Sequence, residues 1–401
     1  MYSNIRRVVG MVLGLLVFLL NGAVLHAQIE PPLTGPLLAL GTAQQDRIIV
    51  YDVGTETHRA LAFGTRWHYV WDFSPDGCRL LFTLSEGAAP ARLYSARLDG
   101  SDQRELVQYD ELPAERWGIW EPQWSPDGSR IAFTLIRDQS QRDGGIEREY
   151  HIAWITPAGG EPTFYSVTGN EHTPRWSPDG EWLAYISYDE RVAGADINAT
   201  AVPTPEVPTN QPTPQVVLLN EADLWLVSAD AETKYNLTNF PTGSVSTPRW
   251  SPDGELISFI YSPGSGNDTF WMIARSQGAI PTQLSFEWNL TLDTTWLPDS
   301  TGLVAAVRDF RDTVQNRLWT IPLVGNADTD ATLFLDDLRL THADYPRFSA
   351  DGRWLALRSA YELVLVDTLD RTWTLVEAMP LGNTPPVWSP AEFGGEITCN
   401  E

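Results

Sequence analysis

Lysine is nearly absent from this 401-residue chain, which sets 27 Lys+Arg against 52 Asp+Glu and holds one lysine, Lys234. Lysine-based catalysis is therefore almost excluded. A net charge of −25 also repels nucleic-acid phosphates at every approach. Cysteine is as scarce: Cys78 and Cys399 cannot make a disulfide-rich scaffold or a four-thiolate metal site. Also missing are a G-x-S-x-G elbow, an H-E-x-x-H helix, a Gly-rich phosphate loop ending in Lys and a C-x-x-C pair. No long helical pattern follows residue 28. What is plentiful is apolar surface (43%), tryptophan (17), proline (29) and glycine (30). That content excludes wholesale disorder, and the length demands a large single β architecture or a repeat array.

The N-terminus reads as an address. Arg6 and Arg7 precede a thirteen-residue apolar run, 8–20, followed by Asn21 and the small Ala27. This is the layout of a secretory signal, and the run is short for the roughly 20 residues of a bilayer span. Leu25 makes the cleavage site imperfect, so a retained anchor that tethers the chain to a membrane stays open. Residues 1–27 are thus a signal peptide or anchor and 28–36 a linker. The rest is expected outside the cytoplasm, as a periplasmic, secreted or cell-surface domain.

One phrase punctuates the remainder. It reads WDFSPDG at 71–77, PQWSPDG at 122–128 and PRWSPDG at 174–180 and 248–254, with weaker copies at 294–300, 346–352 and 386–390. From aromatic to aromatic (73, 124, 176, 250, 296, 348, 388) the steps are 51, 52, 74, 46, 52 and 40. Such a period marks a propeller or solenoid. In Ser-Pro-Asp-Gly, Pro presets φ at the first central turn position, Asp tolerates the second, and Gly takes the left-handed position that follows. A tight hairpin results, entered by a strand that ends in a large aromatic. β-rich runs follow at 79–84, 130–136, 182–187, 256–261, 302–307 and 354–358, with two more short strands further along each repeat. Four antiparallel strands per repeat make a propeller blade.

The ends complement each other. Segments 37–40, 47–53 and 58–62 read as a blade lacking its first strand, and 385–388 as a first strand lacking its blade. Joined, they give an all-β, seven-bladed β-propeller over 37–390, closed by its N- and C-terminal strands. Closure removes the unpaired edge of an open array. Residues 391–401 are then a C-terminal tail, and six blades with a stray tail is the alternative. Repeated WSPDG followed by an I/L-A-F/Y strand resembles the TolB-like propeller family over about residues 37–390. TolB itself carries an additional α/β domain for which this chain has no room, so its envelope role is not carried over. Prolyl oligopeptidase-type enzymes append a hydrolase domain to such a propeller, whereas this chain stops at Glu401.

Strand parity sorts the loops. The SPDG turns lie on one face, and the long segments 137–149, 189–215, 262–269 and 308–316 on the other, where binding loops usually sit. The 189–215 insertion contains VPTPEVPTNQPTPQ, an extended Pro/Thr-rich stretch. Residues just before each first strand should ring the funnel mouth on that face: His68, Tyr69, Trp117, Trp120, Glu121, Glu171, His172, Asp293, His342 and Asp344. The motif aromatics read as inter-blade core, the motif Asp residues as turn formers, and Arg175, Arg249 and Arg347 as blade-to-blade ion pairs. Cys78 and Cys399 fall on the turn face of neighbouring blades, where an oxidising compartment would join them in a disulfide.

With no linear catalytic motif, the chain reads as a non-catalytic binding module and not an enzyme. Its partner is expected to be a protein, or an envelope polymer such as a glycan. Neither nucleic acid, cofactor nor metal is expected, and the propeller is expected to be a monomer. The alternative is a glycan hydrolase or lyase using acidic residues of the central funnel, since propeller enzymes assemble sites from separate blades.

Overall fold

The computed structural model describes residues 33–64, 67–109, 116–140, 146–165, 169–192, 218–264, 267–285, 290–308, 316–335, 340, 342–382, 384–390 and 399. The N-terminal segment 1–27, most of the 189–215 insertion, and the 391–401 tail apart from Cys399 lie outside them.

Each Ser-Pro-Asp-Gly phrase folds by one local hydrogen-bond circuit. In the first copy Ser74 Oγ donates to Asp76 (2.5 Å) and accepts the Arg79 N–H (2.9 Å), while the Cys78 N–H donates to the same Asp76 oxygen (3.0 Å). The circuit recurs around Ser125–Asp127, Ser177–Asp179, Ser251–Asp253 and Ser349–Asp351. Its glycines sit at φ values from 70° to 73°, the left-handed region that favours glycine. Each motif Asp thus holds its own turn, and Asp179 also pairs with Arg275.

Among the described residues the regular structure is almost entirely strand, with one helical turn, Ala327–Asp330. No described helix is long and apolar enough to cross a membrane. The strands form antiparallel four-stranded sheets taken up in chain order. The first complete one runs Trp67–Phe73, Arg79–Ser85, Arg92–Arg97, Arg104–Glu105. Comparable sheets begin with Trp117–Trp124, Leu290–Trp296 and Ala343–Phe348. Those beginning with Glu171–Trp176 and Ser244–Trp250 are joined by one parallel bridge, Ala222 to Ser244. In the last sheet, Val387–Trp388 pairs with Leu37–Gly41, so the two ends of the chain share a sheet. Segments expected as irregular loops at 137–149 and 189–215 are partly regular: the strands Ile131–Ser140, Ile146–Ile155 and Trp182–Val192 run well into them.

The core lies between successive sheets. Leu81 and Leu93 of one sheet pack with Trp124, Ile131 and Phe133 of the next, and Leu37 and Val50 pack with Phe73 and Phe82 in the same way. On the turn side Cys78 and Cys399 are disulfide-bonded, with Cα atoms 5.6 Å apart across 321 positions. In the loop-closure account, so long a loop is worth at most about 6 kcal/mol.

Candidate functional site

The first strand of nearly every repeat carries the same irregularity. Register shifts separate Val70 from Asp72, Trp120 from Gln123, His172 from Arg175, Ser246 from Arg249, Thr291 from Asp293 and Asp344 from Arg347. In four of them the residue ahead of a Pro takes positive φ: Glu121 (50°), Thr173 (60°), Thr247 (50°) and Tyr345 (52°). A bulge of this kind re-aims side chains. Here residues one and three places before the motif aromatic come to line a common cavity.

That central cavity, about 380 Å³, draws on first strands from all the repeats: Asp72, Glu121, Gln123, Arg175, Thr247, Arg249, Asp293, Tyr345 and Arg347 border it. Its charges are paired between strands. Arg347 meets Asp293 at 2.7 Å, Arg249 meets the same carboxylate at 3.3 Å, and Arg175 meets Glu121 at 3.3 Å. The three arginines therefore do form links between repeats, but they also make one wall of the cavity. Burial, and then the neighbouring Arg249, push Arg347 down to about 10, a large cost for a guanidinium. Burial works against ionised Asp293, yet Arg347 and Arg249 hold its carboxyl below the ordinary range. Arg175 likewise holds Glu121 below that range against burial. Asp72 feels Arg175 as well, but burial outweighs it. Burial pushes it up to about 7, even though it accepts the Phe73 and Trp124 N–H groups at 2.9 Å each. The cavity wall also holds two buried polar atoms without hydrogen-bond partners, Arg249 Nε and Thr247 Oγ1.

The residues expected at the funnel mouth are distributed over several environments. Glu121 and Asp293 line the central cavity. Tyr69, Trp117 and Trp120 border a second cavity, between the first two complete sheets. His68 is fully buried, its ring bonded to the Phe63 N–H (3.0 Å) and the Gln45 carbonyl (3.1 Å), so it is part of the core. Glu171 is also fully buried, accepting the Gly169 N–H at 3.2 Å with Lys234 Nζ 4.0 Å away. His172 bonds Thr173 Oγ1 at 2.7 Å and packs on Tyr188, and burial lowers its pKa. His342 is exposed, and Asp344 pairs with Arg358 at 2.8 Å. Sequence reasoning passed over Asp72, Gln123, Thr247 and Tyr345. The signal that would have found them is their fixed spacing ahead of each motif aromatic. Among the described residues no group of three His, Cys, Asp or Glu is placed to hold a metal ion.

No family model matches the chain. It is 30% identical over 165 residues to an uncharacterized peptidase, YuxL, of Bacillus subtilis, an alignment covering 41% of this chain and 20% of that protein. The chain thus spans only a fifth of that relative's length. Among solved structures, a puromycin-hydrolyzing peptidase of Mycobacterium tuberculosis aligns over 88% of this chain and 55% of its own, at 14% identity and a TM-score of 0.57. An oligogalacturonate lyase aligns over 82% of this chain and 81% of its own, at 16% identity and a TM-score of 0.51. The resemblance to TolB-like repeats accordingly holds at the level of a propeller fold, without singling out one repeat type. The expectation of a non-catalytic binding module, and with it of a chain that is no enzyme, is corrected: the relative and the two solved structures just named are peptidases and a lyase. A lack of linear motifs does not by itself mark a non-catalytic chain, because a site assembled from separate strands would leave none.

Proposed function

We propose that the chain is a propeller enzyme that cleaves an acidic glycan in its central cavity. One observation carries this reading: three arginines and carboxyls of opposite tendency share a single cavity, in a chain otherwise rich in negative charge. Asp72, near 7, is partly protonated at neutral pH, whereas Glu121 and Asp293 are held ionised. Carboxyls driven apart in this way divide the work of proton donor and base at a glycosidic bond. Arg175, Arg249 and Arg347 supply the positive wall that a sugar carboxylate requires. In this reading Asp72 donates a proton to the leaving oxygen and Glu121 is the base. Asp293 sets the position of two of the three guanidinium groups.

The frame we propose for this site is a closed ring of seven blades. Its support is that inner strands meet in chain order: Trp67–Phe73 with Trp117–Trp124, then Glu171–Trp176, Ser244–Trp250, Leu290–Trp296, Ala343–Phe348 and Val387–Trp388, which returns to Trp67–Phe73. An extracytoplasmic location, with the N-terminal segment as signal or tether, is supported by that segment's layout and by the Cys78–Cys399 bond.

The test is an assay of the purified chain on an oligogalacturonate, following new reducing ends for hydrolysis and unsaturated ends for elimination. Asp72→Asn should lower turnover about a hundredfold or more, and Arg249→Ala should chiefly raise KM. A second reading, cleavage of a peptide bond, is favoured by the identity to the Bacillus peptidase. Release from peptide substrates, with every acidic glycan left intact, would replace the first reading by the second.

A further inference from the structure

The second cavity is of similar size, about 370 Å³, and lies between the first two complete sheets. Its character differs from the first. Trp67 and Trp120 present 48% and 42% of their surfaces to solvent, unusual for tryptophan in a chain whose other aromatics are mostly packed. Tyr69 and Trp117 add to the aromatic wall, and Trp117 is braced from behind by Arg92, 3.6 Å from its ring centroid. Gly118 lets the wall close on its neighbour, because a Cβ there would meet Pro90 at 2.8 Å. Two cations border the space. Both face one carboxylate, Asp138: Arg148 bonds it at 2.8 Å, the charge of Arg116 acts on it too, and Arg116 Nη2 is buried without a hydrogen-bond partner. The two cavities adjoin: Trp120 of the second stands edge-on to Trp71 of the first, with ring centroids 5.0 Å apart.

Exposed flat rings beside two guanidinium groups that share one carboxylate suit a ring-shaped ligand that carries a second. The apolar faces of a sugar stack on indole, while Arg116 takes the acid group. A neutral sugar would leave Arg116 unanswered, and an aliphatic ligand would not need it. We infer that this cavity is a second subsite for the acidic glycan, holding uronate residues beyond those in the central cavity. The inference rests on the reading of the central cavity as a glycan site, and it adds the direction in which the chain of sugars leaves.

The experiment is calorimetric titration of the full chain with a long oligogalacturonate, its disaccharide and a neutral oligosaccharide of matched length. Wild type is compared with Trp67→Ala and Arg116→Gln, circular dichroism confirming the fold of each. Neither residue belongs to the central cavity. Each change should weaken the long acidic oligomer about tenfold, one stacking or charged contact, and leave disaccharide binding and its turnover unaltered. Unchanged affinity in both variants overturns the subsite, as does equal binding of the neutral oligosaccharide. The outcomes separate from those of the function: acidic-oligomer binding lost in Trp67→Ala but with no turnover by wild type keeps the subsite and removes the enzyme. Turnover indifferent to Trp67 and Arg116 on long and short substrates does the reverse.

Discussion

The strands around the central cavity are joined in two ways, and the difference follows the residue just before each motif aromatic. On one side the joint is a side chain. Asp72 takes the Trp124 N–H at 2.9 Å, and Gln123 takes the Trp176 N–H at 3.0 Å. On the other side the joint is made by backbone and indole: Trp250 Nε1 donates to the Arg175 carbonyl, Trp296 to that of Arg249 and Trp388 to that of Arg347, at 2.8–2.9 Å. Where a side chain makes the joint, the following indole is idle, and Trp124 Nε1 and Trp176 Nε1 are buried without partners. Where the indole makes it, the side chain at the same position is released, and three times it is an arginine facing the cavity. A single sequence phrase thus does structural work in one half and leaves a side chain to face the cavity in the other.

The largest effect that separates the halves should come from Asp293. Asp293→Ala strips Arg249 and Arg347 of their shared carboxylate inside the cavity. Removing one partner of a buried ion pair costs about 3–5 kcal/mol, measurable as a drop in the denaturant midpoint at constant slope. A loss below about 1 kcal/mol, the size of an exposed pair, would mean that solvent already screens these arginines. Next come the tryptophans. Trp250→Phe leaves the Arg175 carbonyl without its donor and should cost about 1–3 kcal/mol. Trp124→Phe removes an indole N–H that bonds nothing, so much of that cost should be missing. Equal losses from the two substitutions would erase the distinction between the joints.

Much of the fold could be read from the sequence because its determinants are local. The turn needs only Pro, Asp and Gly in order, and the aromatic before it needs only a neighbouring sheet. The two cysteines sit together because 321 residues of chain return to their start, which the truncated repeats at each end already implied. The cavity was harder to read. His68 and Glu171 are expected at the funnel mouth because they stand just before each expected first strand. The observed strands Trp67–Phe73 and Glu171–Trp176 already contain them, and the bulge further along re-aims the side chains nearer the aromatic. His68 and Glu171 therefore end in the core, while Asp72, Thr247 and Tyr345, closer to the aromatic, reach the cavity. The bulge has a trace in sequence, the Pro two places before the aromatic in PQW, PRW and PRF. Its backbone sign, positive φ on the preceding residue, does not.

The subtlest contrast is in pH dependence, and it falls on the side-chain joint. Asp72 titrates near 3.8 when unfolded and near 7 when folded, so between those values the folded chain holds a proton that the unfolded chain has released. The folded state then binds more protons, and its stability must fall as pH rises across the window, then level off above about 7. Glu121 and Asp293, held below their ordinary values by Arg175, Arg249 and Arg347, give the opposite slope, and only at more acid pH. Asp72→Asn keeps an oxygen to accept one N–H and cannot ionise. Relative to wild type, this variant should therefore gain stability steadily from about pH 4 to 7. Urea unfolding at several pH values would show this as a converging pair of curves. Parallel curves would mean that Asp72 is ionised throughout, that water reaches it in the folded state, and that the proton donor of the central cavity must be another group.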